Sequence, residues 1–250
     1  MLSDSIWWSA LALEALLLIR GWKCGLLHRY PIFYGYVFFV LIQSVLRFAI
    51  SQWNAEAYRY AYWTTEYLAA VAGCAVVFEI YRIGLYSYPG AARIIRNVLM
   101  FVFAMAFAKG LANVTNFHQW WEEATALDVE RTVRTVQGIA IIALVSLFLA
   151  YSIPFGKNLR GILLGYSLFI AGRVICLTFV SPQGRDFWFY AYSASYVVVL
   201  SLWLAHLWSY HPVPEAQTRG NLERDYQMLA AATQRRLRET AGFLRKAVRS

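Results

Sequence analysis

Apolar residues run in seven long stretches along this chain: Ile6 to Ile19, Phe33 to Ser51, Tyr60 to Ile80, Ile94 to Asn113, Val133 to Tyr151, Leu159 to Ser181 and Phe187 to Tyr210. A bilayer's hydrocarbon core is about 30 Å thick, and a helix rises about 1.5 Å per residue, so roughly 20 mostly apolar residues make one crossing. In hydrocarbon a helix satisfies its own backbone donors, whereas an open sheet leaves them unpaired. The stretches therefore predict an all-α, polytopic membrane protein with seven transmembrane helices, the first beginning near Leu2. Composition agrees, since 60% of the 250 residues are apolar and only 15% charged. That balance excludes disorder, collagen and a disulfide-rich secreted scaffold.

Orientation follows from the cationic residues, because loops rich in Lys and Arg stay on the cytoplasmic side. The first connection carries Arg20, Lys23 and Arg29, the third Arg82, Arg93 and Arg96, and the fifth Lys157 and Arg160. The alternate connections are neutral or acidic, with Glu56 and Arg59, then Glu122, Glu123, Asp128 and Glu130 against Arg131, then Arg185 and Asp186. The N-terminus is thus expected outside and the C-terminus in the cytoplasm. Asp4 precedes the first apolar run, while Arg20 and Lys23 follow it. A cleaved signal peptide has the opposite flanks, so this run is expected to remain as the first helix. Residues 1–210 read as the transmembrane domain and 211–250 as a cytoplasmic tail. Short loops and compactness suit an integral protein of a bacterial inner membrane. Cys74 and Cys176 fall in helices and Cys24 in an inner loop, which leaves no outer pair for a disulfide.

Sliding the chain by 130 residues sets the second and third stretches against the sixth and seventh without a gap. Gly35-Tyr36 then meets Gly165-Tyr166, Phe39 meets Phe169, Ser51 meets Ser181, and Tyr60-Ala61-Tyr62 meets Tyr190-Ala191-Tyr192. A repeat of this kind gives three helices, a linker helix and three helices, with both triplets facing the same way and a site expected between them. In helix order this resembles the SWEET-type sugar carriers. Pro182-Gln183 is similar to their proline–glutamine loops, but the first triplet has no counterpart, and no residue role is carried across.

Charge at mid-bilayer costs about 2.5–3.5 kcal/mol on insertion scales, so polar residues inside the stretches must face the bundle interior, pair, or reach an interface. Gln43 and Arg47 are four apart on one face of the second helix. Counting depth along the helices places Arg47 and Glu66 at similar levels near the outer side and predicts an ion pair between them. Arg47→Leu alone is then expected to cost more than Arg47→Leu combined with Glu66→Leu. Arg134 and Gln137 open the fifth helix, and Arg173 lies within the sixth. The 130-residue offset matches Gln43 with Arg173, Tyr62 with Tyr192, and Glu66 with Tyr196. These nine residues, Gln43, Arg47, Tyr62, Glu66, Arg134, Gln137, Arg173, Tyr192 and Tyr196, form the candidate ligand-binding layer in the outer half. Glu14 is a further buried acid, Glu79 is expected to pair with a loop arginine, and His206 to be interfacial or hydrogen-bonded. Above the layer an aromatic rim, including Trp7, Trp8, Trp53, Tyr58, Trp120, Trp121, Trp188 and Tyr190, reads as an interfacial belt or a vestibule for an apolar or cationic ligand.

Beyond Pro214, Leu222, Tyr226, Leu229, Thr233, Leu237, Leu244 and Val248 recur at helical spacing, which predicts an amphipathic tail helix. Arg235, Arg236, Arg238, Arg245 and Lys246 flank the stripe, so its expected partner is anionic lipid head groups or a cytoplasmic protein. No nucleic-acid partner, cofactor or metal is expected. The last helix has no lysine for retinal, and the chain contains no Walker loop, HExxH, GxSxG or CxxC. The expectation is a non-enzymatic, receptor-like or accessory module; the alternative is a small-solute transporter with its site between the two triplets.

Overall fold

The structure, a computed structural model, describes residues 2–86, 88–112, 123–150, 156–179 and 185–211, together with 227, 228 and 231. Within them the chain forms α1 (Leu2–Lys23), α2 (Leu26–Arg29), α3 (Pro31–Ser51), α4 (Ala55–Gly84), α5 (Pro89–Ala112), α6 (Glu123–Ala150), α7 (Lys157–Phe179) and α8 (Arg185–His206). No strand occurs among the described residues. Among the described residues four segments, Pro31–Ser51, Ala57–Gly84, Leu127–Ala150 and Lys157–Phe179, are long and apolar enough to cross a membrane.

The distribution of side chains suits a hydrocarbon solvent. Phe101, Ile142 and Leu149 are 66–70% exposed, while Glu14, Glu66, Glu79, Glu130 and Arg134 are buried. A chain folded in water has these preferences reversed.

The helices outrun the apolar stretches that predict them. The largest difference is at α6, which begins at Glu123 rather than near Val133. Its first turns are polar, yet the helix continues through them because Glu130 and Arg134 share one face and are drawn into the bundle. Glu130 is therefore not a loop acid but a buried helical one. At the other end α8 stops at His206, short of Tyr210. The following turn is clamped instead: Arg20 donates to the Trp208 carbonyl at 2.7 Å, and Asn158 donates to the carbonyls of His206 and Ser209.

Six long helices close a ring in the order α1, α3, α4, α6, α7, α8, with α5 outside it against α4 and α6. The α3–α4 and α7–α8 pairs are the most extensive. On α7, Gly161 and Gly165 face α8, where a Cβ would collide with His206 and Trp203 respectively. Small residues four apart let helix backbones approach closely in this way.

The opposite end of the ring from the aromatic rim is held by capping. Gly25, at φ 67°, turns the chain between α1 and α2. Pro31 then opens α3, and Glu79 of α4 accepts the backbone N–H groups of Ile32 and Phe33 at 2.9 and 2.7 Å. Glu79 thus satisfies two orphan donors at a helix N-terminus, where a carboxylate also meets the positive end of the dipole. This replaces the expected pairing with a loop arginine, which the sequence suggests only because Arg82 is three residues away. His206 Nδ1 lies 3.0 Å from the Leu202 carbonyl. Arg235, Arg236, Arg238, Arg245 and Lys246 of the tail lie outside the described residues, as do Trp120, Trp121, Pro182 and Gln183.

Candidate functional site

Helical spacing gathers charged residues from four helices at one level of the ring. Glu66 on α4 is the hub: its Oε2 lies 3.1 Å from Arg47 of α3, and its Oε1 lies 3.4 Å from Arg134 of α6 and 3.7 Å from Arg173 of α7. Arg173 is held more tightly by Glu130, its Nε and Nη2 donating to the two carboxylate oxygens at 2.6 and 2.8 Å. This is a two-point guanidinium–carboxylate fork, the geometry that makes arginine specific for planar anions. Arg47 also donates to Thr65 Oγ1 at 2.8 Å and to the Tyr62 carbonyl at 3.0 Å.

Two arginine–tyrosine stacks recur on matched helix pairs. The Arg47 guanidinium lies 4.3 Å from the Tyr62 ring centre, and that of Arg173 lies 4.5 Å from Tyr192. Tyr62 and Tyr192 are one 130-residue offset apart. Another offset pair, Tyr36 and Tyr166, touch each other edge to face with centres 6.1 Å apart. Below the network Gln137 donates to the Ala70 carbonyl at 2.8 Å and to Cys74 Sγ at 3.2 Å. A Cβ at Gly73 would collide with the Tyr166 hydroxyl, so the bare backbone of α4 makes room for this layer.

A cavity of about 560 Å³ lies against the network, between α1, α3, α4, α7 and α8. Trp8, Ser51 and Tyr190, all exposed, line its mouth at the predicted outer end, and Glu14, Tyr36 and Tyr196 line its depth. That volume suits a small organic molecule. The arginines differ in what they offer it: the side chains of Arg47 and Arg173 are 16% and 11% exposed, that of Arg134 only 1%. Arg134 belongs to the scaffold, whereas Arg47 and Arg173 line the cavity with side chains that stay partly exposed.

Two other side chains that line the cavity carry acceptors. Glu14 of α1 accepts the Tyr196 hydroxyl through Oε1 at 2.7 Å, but its Oε2 has no hydrogen-bond partner among the described residues. The Gln43 Oε1 on α3 is likewise buried without a donor. Both residues line the cavity.

Of the nine sequence-predicted residues, Gln43, Arg47, Tyr62, Glu66, Arg134, Arg173, Tyr192 and Tyr196 line this cavity. Gln137 does not; it packs one turn deeper against α4. Glu130, Glu14 and Tyr36 were not among the nine. The i,i+4 spacing of Glu130 and Arg134 could have signalled the first, and the depth of Glu14 in its helix the second. Tyr36 carries no local signal beyond its match to Tyr166. No group of three His, Cys, Asp or Glu side chains suited to a metal occurs among the described residues. No protein-family model matches the chain, and neither a curated protein nor a solved structure matches it.

Proposed function

We propose that this chain is a non-enzymatic, receptor-like membrane module that binds a small organic ligand bearing an anionic group in the arginine-lined cavity. One observation carries the reading: Arg47 and Arg173 are ion-paired with Glu66 and Glu130, yet their side chains stay partly exposed where they line a 560 Å³ aromatic-walled space. Pairing lowers the cost of holding these cations in hydrocarbon, and a planar anion suits the donors that a guanidinium group has to spare. The module crosses seven times with its N-terminus outside, in a bacterial inner membrane. The ligand therefore enters from the outer face, and the basic tail helix contacts anionic lipid or a cytoplasmic protein.

Mass spectrometry of small molecules retained by the full chain, purified gently from native membranes, tests this. The expected result is an anionic organic molecule that is retained by the wild type and lost from Arg47→Gln and Arg173→Gln. Equal retention by wild type and variants overturns the reading.

A second reading, a small-solute transporter with its site between two three-helix repeats, is favoured by one feature. The ring maps onto itself when α1, α3 and α4 are exchanged for α6, α7 and α8, and Tyr36 meets its own offset mate Tyr166 at the centre. Parallel repeats of this kind frame alternating-access sites. Uptake of the retained molecule into proteoliposomes supports the carrier; binding without flux supports the module.

A further inference from the structure

Two buried hydrogen-bond acceptors in the cavity lack donors, and they sit one layer below the arginine edges. Glu14, 1% exposed, has an unpartnered Oε2, and Gln43, 7% exposed, has an unpartnered Oε1. Buried polar atoms in folded proteins are nearly always satisfied, and one left open keeps the full penalty of its desolvation. Both atoms lack the same thing, a hydrogen-bond donor. An anion alone supplies none.

We propose that the ligand is a zwitterion, a small ammonium carboxylate with an apolar remainder, whose ammonium group is received by Glu14 and Gln43 and whose carboxylate is received by Arg47 and Arg173. The inference deepens the binding reading above and rests on it. Spacing fits the assignment. Gln43 and Arg47 are four residues apart on α3, which is about 6 Å of rise, so the two charged ends of the ligand are a few bonds apart rather than a chain length apart. The walls fit as well. Tyr36 and Tyr196 flank the acceptor end, and ring faces attract an ammonium group there. Trp7 and Phe48, stacked with centres 4.9 Å apart, line the mouth and suit the apolar remainder.

Binding of three matched probes to the purified full chain in nanodiscs, followed calorimetrically, tests the proposal. Phenylalanine carries both groups, 3-phenylpropionate only the carboxylate, and phenethylamine only the ammonium. The expected result is that phenylalanine binds about tenfold or more tighter than either partial probe. Glu14→Gln, which keeps an acceptor for Tyr196, is expected to remove most of the phenylalanine advantage and leave 3-phenylpropionate unchanged. If 3-phenylpropionate binds the wild type as well as phenylalanine does, the zwitterion is overturned and the anion-binding reading stands. Tightest binding by phenethylamine, or no binding of any probe in the millimolar range, overturns both. The wild-type comparison is decisive even if Glu14→Gln fails to fold.

Discussion

Glu14 and Glu66 are the same residue type, each eleven or twelve residues into its helix from the aromatic end, and both line one cavity. Their surroundings divide them. Glu66 is met by three guanidinium groups, from Arg47, Arg134 and Arg173. Glu14 is met by one tyrosine hydroxyl and has an oxygen to spare. A buried carboxylate wrapped by arginines is part of the scaffold, because removing it strands cations in hydrocarbon. A buried carboxylate with an open oxygen holds nothing together at that atom and is free to receive something else. Burial alone therefore does not separate structural from functional acids here; the completeness of the partner set does.

The comparison is broken most directly at its saturated wall. Glu66→Leu is expected to cost about 3–5 kcal/mol, since three arginines lose a counter-charge at once. Thermal melting in detergent reads this. The shared hub also changes the order expected for a simple pair. Adding Arg47→Leu to Glu66→Leu removes one cation and leaves Arg134 and Arg173 to share Glu130, so the double variant melts close to Glu66→Leu and below Arg47→Leu. If Glu66→Leu melts with the wild type, the network is not what holds α3, α4, α6 and α7 together.

Next come the arginines. Arg173→Leu leaves Glu130, 2% exposed, with the longer 3.8 Å contact to Arg134 as its remaining ion pair among the described residues. The expected loss is about 3 kcal/mol, the cost typical of a buried charge that loses its partner. Arg47→Leu leaves Glu66 with two guanidinium groups and is expected to cost about 1–2 kcal/mol, the scale of one charge-assisted hydrogen bond. Melting temperatures of the two variants side by side check the ranking; equal losses would mean that Glu130 does not depend on Arg173.

Much of this layer is legible in the sequence, and what is not has a physical cause. Periodicity and depth counting bring Arg47, Glu66, Arg134 and Arg173 to one level because membrane helices of similar length run side by side, so position along the chain converts to depth. Glu130 is misread because hydropathy ends a helix at its last apolar residue, while the backbone continues into polar turns that face inward. Glu79 is misread because its partners are backbone donors of a helix 47 residues away, and no pattern of side chains announces an uncapped N-terminus. The 130-residue offset proposes matched positions, but whether Tyr36 touches Tyr166 depends on how the two units pack.

On the open wall the expected effects are small. Glu14→Gln keeps the acceptor for Tyr196 and loses no other contact, so its stability is expected to stay within about 1 kcal/mol of wild type, the net value of a typical hydrogen bond. A melting loss as large as that of Glu66→Leu would make Glu14 a structural acid and erase the distinction between the two walls.

Gln43→Leu carries the comparison to its limit, because here the sign itself is at stake. Gln43 Oε1 is buried without a donor, and a leucine of similar size removes that acceptor while keeping the packing volume. In the absence of ligand the variant is expected to gain up to about 1 kcal/mol, since an unsatisfied amide has been exchanged for an apolar group. A residue whose removal stabilises the empty protein is being kept for something other than folding. The same variant should then lose affinity for phenylalanine relative to 3-phenylpropionate, so that melting temperature and zwitterion preference move in opposite directions. If Gln43→Leu instead melts well below the wild type, the amide is part of the scaffold after all, and the acceptors are no more open than the arginine network beside them.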